Sequence, residues 1–345
     1  MRWTGGRHDT FEFLRLTRSG DPAGTFDHVT HGEISENSNT SLKVSGFLDV
    51  VGDADPGNSL VRVIFRAVED SETAEVTLGT FFAATPSRVH TDAGTTARIE
   101  LYSMLLALDE DRLERTLTVA SGSDVVSAAR QLAVDAGLRV TAAPSAHVSG
   151  AALVFEAGTT RLEAVNALLD HAGYASAAVG VDGVVRMFPY VPPASRPLEW
   201  TFTDGDGSMF LPEVPVEVDW YHAPNVVVVT STGATATLTA IAVNDDPASP
   251  LSTVTRGRRI VRYERVSDAA GQEALQAKAD RLLASSSRKV TTGTLRHTYA
   301  PLSLGGRVRL AYAAAGIDYA MTVQSRDMEL VPGLPTTTKV RRFDV

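Results

Sequence analysis

The sequence predicts a mainly β protein with α/β insertions, and three observations lead there. Alternating apolar and polar residues recur through residues 1–108, with turn residues between them. Two short amphipathic stripes follow, each behind a capping signal and ahead of a glycine. One longer helical stripe then stands alone among further alternating runs.

In the first region, Thr10 to Leu16, Ser41 to Leu48, Leu60 to Val68, Ala74 to Phe82 and Thr95 to Tyr102 alternate as half-buried strands do. Turns fall at Asp21-Pro22, Asp55-Pro56-Gly57-Asn58 and Asp92-Ala93-Gly94. This spacing reads as a small barrel or sandwich.

Residues 109–195 change character. Val125, Val126, Ala129, Leu132 and Ala133 form an apolar stripe stopped by Gly137. Ser121 and Asp124 have capping-box spacing, and Ser123 is an equal candidate for the cap. The stripe recurs 36 residues later as Leu162, Val165, Leu168, Leu169 and Ala172, stopped by Gly173, and Thr160 and Glu163 before it again have capping-box spacing. Either a small α/β unit has been duplicated or two capped helices simply look alike. Val191 to Pro197, with three prolines, reads as a linker.

Strands resume at Glu217–Tyr221 and Asn225–Ser231, with another from Ala234 to Val243. Asn244 to Pro250 reads as a loop and Arg256 to Arg265 as a basic strand or edge. Ser267-Asp268 opens a helix of about 18 residues through Leu275, Ala279, Leu282 and Leu283. The remainder reads as strands at Thr291–Tyr299, Arg307–Tyr312, Asp318–Asp327 and Thr337–Val345. Too few strands remain at the end to close alone, so 217–231 is expected to pair with 291–345. The expected organisation is a first β-barrel at 1–108 and a small α/β domain at 109–195. A second, discontinuous barrel takes 196–234 and 291–345, around an inserted helix-containing segment at 235–290.

Composition narrows the function. The 345 residues are 43% hydrophobic and 21% charged, enough for a packed core. With no cysteine, disulfides, thiolate metal sites and Cys nucleophiles are excluded. The polar start is unlike a secretory signal, and no apolar run approaches the ~20 residues of a membrane span. A soluble protein folding without oxidation is expected. The net charge of −9 disfavours a general nucleic-acid surface. It is unevenly spread: residues 1–110 carry 9 Lys+Arg against 17 Asp+Glu, and residues 256–345 carry 16 against 8. This is either compositional drift or a sign that acidic and basic ends meet, within one chain or between neighbours.

Sites of chemistry are few. His28, His31 and Glu33 are the densest ligand cluster, but they lack a helical HExxH frame and read as a solvated loop near a turn. Asp204, Asp206 and Ser208 open like a calcium loop, yet Pro215 stands where a bidentate Glu is needed; Glu213 and Glu217 are off register. A polar turn is expected there, with ion binding left open. Asp109-Glu110-Asp111 and Asp245-Asp246 lie in polar junctions without aromatic subsites. Arg256, Arg258, Arg259, Arg262 and Arg265 suit a protein interface or solvated edge better than a phosphate backbone. No nucleophile elbow or phosphate loop is present. No catalytic, metal or cofactor residue is therefore assigned.

The order of motifs nonetheless resembles a family, the tail hub (baseplate hub) proteins of long-tailed bacteriophages. Three stretches carry the resemblance. Residues 159–193 hold a capped helix, an Ala172-Gly173-Tyr174 stop, an Asp182-Gly183 turn and a strand ending Pro189-Tyr190. Residues 267–287 form a helix followed at once by β. Residues 301–345 run from Gly305-Gly306 through Val308-Arg309-Leu310 and Tyr319–Ser325 to a Thr-rich final strand. The resemblance implies a homotrimeric ring of two similar barrels per chain with pseudo-sixfold symmetry, joining tail tube to tail tip. It implies neighbours such as a distal tail or tube ring, tape measure and tip proteins. DNA would pass the lumen without specific binding, with no cofactor, membrane anchor or catalysis. Many relatives carry a long C-terminal extension that this chain lacks. The protein would be assembled in the host cytoplasm and reside at the virion tail tip. Two rivals are a cell-wall-binding or wall-degrading tail protein using the 36-residue repeat, and a metal-dependent hydrolase using His28, His31 and Glu33.

Overall fold

A computed structural model describes the chain except residues 1–2, 4–5, 53–54, 85–86, 220, 233–236, 267–271, 287–289 and 344–345. Its contacts divide it into two compact units: Met1–Glu213 with Leu295–Lys339, and Val214–Thr294 with Val340–Val345. The chain is mainly β. No described helix is long and apolar enough to cross a membrane.

The first unit begins with β1 (His8–Leu16), β2 (Pro22–Thr25), β3 (Val29–Asn37), β4 (Val44–Val51), β5 (Leu60–Glu69), β6 (Glu72–Ala83), β7 (Ser87–Thr91) and β8 (Gly94–Tyr102). They pair in the order β3-β4-β8-β6-β5-β1-β2, with β7 beside β8. Inward residues such as Phe13, Ile34, Leu48, Val63, Phe81 and Ile99 share one core, so strands from both ends of this order face the same interior. Among the described residues, no ladder closes these strands into a barrel. The segment holding His31 and Glu33 is a strand rather than a loop: Gly32, Ile34 and Glu36 are buried and their neighbours face outward. Gly32 is needed there because a Cβ would lie 2.8 Å from Leu48 and 2.9 Å from Leu330.

Next come α1 (Leu106–Glu110), β9 (Leu117–Val119), α2 (Val125–Asp135), β10 (Val140–Ala142), β11 (Leu153–Phe155), α3 (Arg161–His171), β12 (Ala178–Val179) and β13 (Val185–Met187). The 36-residue repeat is visible in three dimensions. β9 and β11, and α2 and α3, begin and end at that offset. Gly137 and Gly173 both take positive φ, 79° and 71°, where only glycine is unstrained. β9 and β11 pair antiparallel, and the isolated bridges Arg112–Thr160 and Asp124–Val148 are themselves related by the offset. The buried stripes Val125, Val126, Ala129, Leu132 and Ala133, and Leu162, Val165, Leu168 and Leu169, enter one core. Thr160 and Glu163 form the expected capping box, at 3.1 and 2.9 Å. The cap of α2 is Asp124 itself, which accepts from the Val126 and Ser127 N–H groups, rather than either serine. The Ser127 hydroxyl and these amides hold its carboxyl below the usual carboxylate range. Asp124→Ala is expected to cost about 1 kcal/mol in denaturant unfolding, and Asp124→Asn much less.

After β14 (Leu198–Thr203) the chain enters the second unit. It contains β15 (Val216–Asp219), β16 (Val226–Thr232), β17 (Thr237–Val243), α4 (Thr253–Arg256), β18 (Val261–Val266) and α5 (Gln272–Ser286). β16 lies between antiparallel β17 and parallel β18. Leu275 and Ala279 of α5 pack on Val227, Val229, Ala240 and Ala242. The expected helix start at Ser267-Asp268 lies outside the described residues, as does Ser287 at its end. β19 (Val290–His297), β20 (Arg307–Tyr312), β21 (Ile317–Glu329) and β22 (Thr336–Phe343) complete the chain; β19 and β22 each begin in one unit and end in the other. Among the described ladders, pairing of 217–231 with 291–345 is found for β15, which lies against Val290–Gly293 of β19. β16 joins the inserted segment instead, because its Val227 and Val229 are needed under α5. β20 pairs with β14 and β21, and β21 pairs antiparallel with β3. Strands from the beginning and the end of the sequence thus pair inside one chain, although β21 itself carries Arg326 against Asp318, Asp327 and Glu329.

Candidate functional site

The residues suspected of chemistry are dispersed. His28 has a positive φ of 59° just before β3, and His31 sits on the outward face with its ring 5.7 Å from that of Phe47. Beside it Arg98 grips Asp49 at 2.7 and 2.8 Å, which holds the Asp49 carboxyl below its usual range. Among the described residues no three His, Asp or Glu side chains converge as metal ligands. Asp204 accepts from the Ala314 N–H at 3.1 Å, within a turn where Gly205 and Gly207 have positive φ. Ser208 donates to the Phe210 carbonyl; Asp206 and Glu213 are exposed, and Glu217 belongs to β15. Asp109 and Glu110 end α1, and Asp111 pairs with Arg161 at 2.6 Å. Asp246 caps a turn through the Ala248 N–H, next to Asp245.

The basic run is also divided. Arg256 donates to the Ala223 carbonyl from the one-turn helix α4. Arg258 lies 3.8 Å from the Tyr221 ring centroid and donates to the Tyr221 carbonyl. Arg262 pairs with Glu264 at 3.3 Å, Arg265 lies 6.0 Å from the Tyr263 ring, and Arg259 is exposed. This is a decorated edge, without a phosphate-binding cradle.

Three buried polar groups were not singled out by the sequence. On the inward face of the β3–β21 ladder, the Ile34–Met328 pair is followed by Glu36 opposite Arg326. Both are buried, and two guanidinium nitrogens reach the same Glu36 oxygen at 2.6 and 2.8 Å. Arg7 and Asp9 form a second buried pair at 2.9 Å; they clasp the carbonyl and N–H of Gly333 in the β21–β22 connection. The third missed group is His297, beside a groove of about 460 Å³ lined also by Met209, Leu211 and Glu329. Its Nδ1–H donates to the Thr298 carbonyl at 2.6 Å, so Nε2 accepts from the Thr338 hydroxyl at 2.8 Å. Burial, opposed by that carbonyl and aided by Arg326, lowers its pKa to about 4. With both nitrogens occupied and the ring neutral, His297 is a structural joint, without a free nitrogen for acid–base work.

Surfaces are more informative. In the second unit, α5 covers one face of the β17-β16-β18 sheet. The opposite face bears Ile241, Val261 and Tyr263, each at least 50% exposed. β15 and β18 each have a partner strand on one side only among the described ladders.

The sequence matches no known family profile and no curated relative. Solved structures do match. A tail protein from Neisseria meningitidis MC58 superposes with a TM-score of 0.70 at 17% identity, over 97% of this chain and 96% of that one. The 43 kDa tail protein of prophage MuSo2 from Shewanella oneidensis gives 0.68 at 11% identity, over 98% and 100%. Prophage tail protein gp18 from Listeria monocytogenes EGD-e gives 0.52 at 14%, over 96% and 94%. The chain has the fold of these phage tail proteins from end to end.

Proposed function

We propose that this chain is a structural phage tail protein: a hub whose three copies close a ring between tail tube and tail tip, with no catalysis. The observation that carries the reading is the likeness to the Neisseria tail protein along nearly the full length of both chains. In this reading the chain divides into a first β region at 1–108, an α/β part at 109–195, a discontinuous second β region at 196–234 and 291–345, and an insertion at 235–290, with β16 of the second region pairing into the insertion. Closure of the two β regions into barrels, contact with neighbouring tail proteins, and a place at the tail tip after assembly in the host cytoplasm all belong to it. A net charge of −9 suits a lumen that passes DNA without holding it. The wall-binding rival finds less support: the apolar stripes of the repeat are spent on one shared core.

Light scattering on the purified chain is expected to give three times 36.7 kDa. Mass spectrometry of purified particles is expected to find the chain in them. A single-copy mass at every concentration, together with absence from particles, would overturn the reading.

A further inference from the structure

Among the described ladders of the second unit, β15 and β18 each present an edge without a partner strand. β15 reads Val-Glu-Val-Asp and β18 reads Val-Arg-Tyr-Glu-Arg-Val. On β15, Val216 and Val218 are 37% and 50% exposed, and Glu217 between them is exposed. On β18, Val261 and Tyr263 are 52% and 56% exposed, with Arg262 between them. An open edge carrying apolar side chains is a template for another strand unless something blunts it. The other edge of the same sheet shows such blunting. The outward carbonyls of β17 at Thr239 and Ile241 accept from Gln272 and Gln276 of α5, so the chain covers that edge itself.

We infer that β15 of one copy adds to the open edge of β18 of the next, so that the two strands form a continuous intermolecular ladder. This rests on the self-assembly proposed above and names the strands that carry it. A like-with-like pairing centred on Arg262 or on Glu217 would set that residue against its own sign, which is unfavourable, and β15 offers no cation to relieve it. Pairing unlike strands sets Glu217 opposite Arg262. An antiparallel addition in that register places Val218 opposite Val261 and Val216 opposite Tyr263, matching apolar to apolar. A parallel addition swaps the two valines and keeps the match. Joining two different surfaces is a head-to-tail contact, which generates a closed ring when the rotation between copies permits. Charge complementarity would select the partner and the main-chain bonds would supply adhesion.

The absence of cysteine gives a clean test. In the full chain, Val218→Cys with Val261→Cys reports the antiparallel register, and Val216→Cys with Val261→Cys the parallel one. Directly opposed residues on paired strands come within disulfide reach. Under mild oxidation, one of the two doubly substituted chains is expected to give covalent dimers and trimers and nothing larger, while each single-cysteine chain gives none. As a second measurement, Glu217→Arg is expected to weaken assembly about tenfold, and adding Arg262→Glu to restore it. A threefold mass with neither pair cross-linking, or linking by a single-cysteine chain, overturns the strand contact and leaves the hub standing. A single-copy mass and absence from particles removes the hub reading itself.

Discussion

Replacing Arg326 with leucine is expected to lower the unfolding free energy by about 3–5 kcal/mol. The loss does not equal the strength of the ion pair. It comes from leaving the Glu36 carboxylate buried beneath the β3–β21 ladder with its two guanidinium bonds gone. Substituting both partners, Glu36→Leu with Arg326→Leu, is therefore expected to recover most of the stability. The pair also fixes register. A slip of two residues would set Arg326 against Ile34, and a slip of one would turn the whole inward face of β21 outward. The double variant should accordingly regain stability while its strands exchange amide hydrogens faster. Urea unfolding of the four chains decides the matter; a loss below about 1 kcal/mol for Arg326→Leu alone would mean that water reaches Glu36.

The second large effect is a pH dependence centred on His297. The pKa of this side chain falls from the usual 6.5 to about 4 in the folded protein. Its contribution is therefore full above pH 6.5 and is lost as pH falls toward 4, where the unfolded chain takes up a proton and the folded chain does not. That interval corresponds to about 3 kcal/mol. His297→Gln removes the titration, so the difference in stability between it and the parent chain should shrink by that amount from pH 7.5 to pH 4. Parallel curves over the same range would contradict a buried neutral imidazole.

Where a strand alternates against a single core, its pattern was legible. Arg307–Tyr312 coincides with β20, and Leu60 to Val68 with nearly all of β5. The repeat was legible too, because stripe and stop glycine recur together; the cap of α2 was not, since Asp124 takes the role offered to Ser121 or Ser123. β2, β3, β7 and β14 escaped for separate physical reasons. β3 hides its alternation by burying Gly32 and Glu36, which read as polar or neutral in one dimension. β2 and β7 are fully exposed and have no apolar face to announce them. β14 follows the prolines of the 191–197 linker and owes its extension to β20, about 110 residues away. Buried partners are harder still. Nothing near Glu36 signals Arg326, 290 residues on, and nothing near His297 signals Thr338. The open edges of β15 and β18 were visible as exposed charge, but that they are edges is a property of topology, which local sequence does not carry.

The pairing of β3 with β21 constrains when this protein finishes folding. During synthesis the flank of β3 has no occupant until the ribosome has released a segment about 290 residues later. At ordinary elongation rates that wait is roughly 15–60 s, long against the formation of a hairpin. The early domain must tolerate an unfinished border throughout translation, and a fragment cut short before Ile317 would keep that border permanently bare. Synthesis of β21 thus acts as a licence: a subunit acquires its filled border, and with it the capacity to join others, only after that strand has been made.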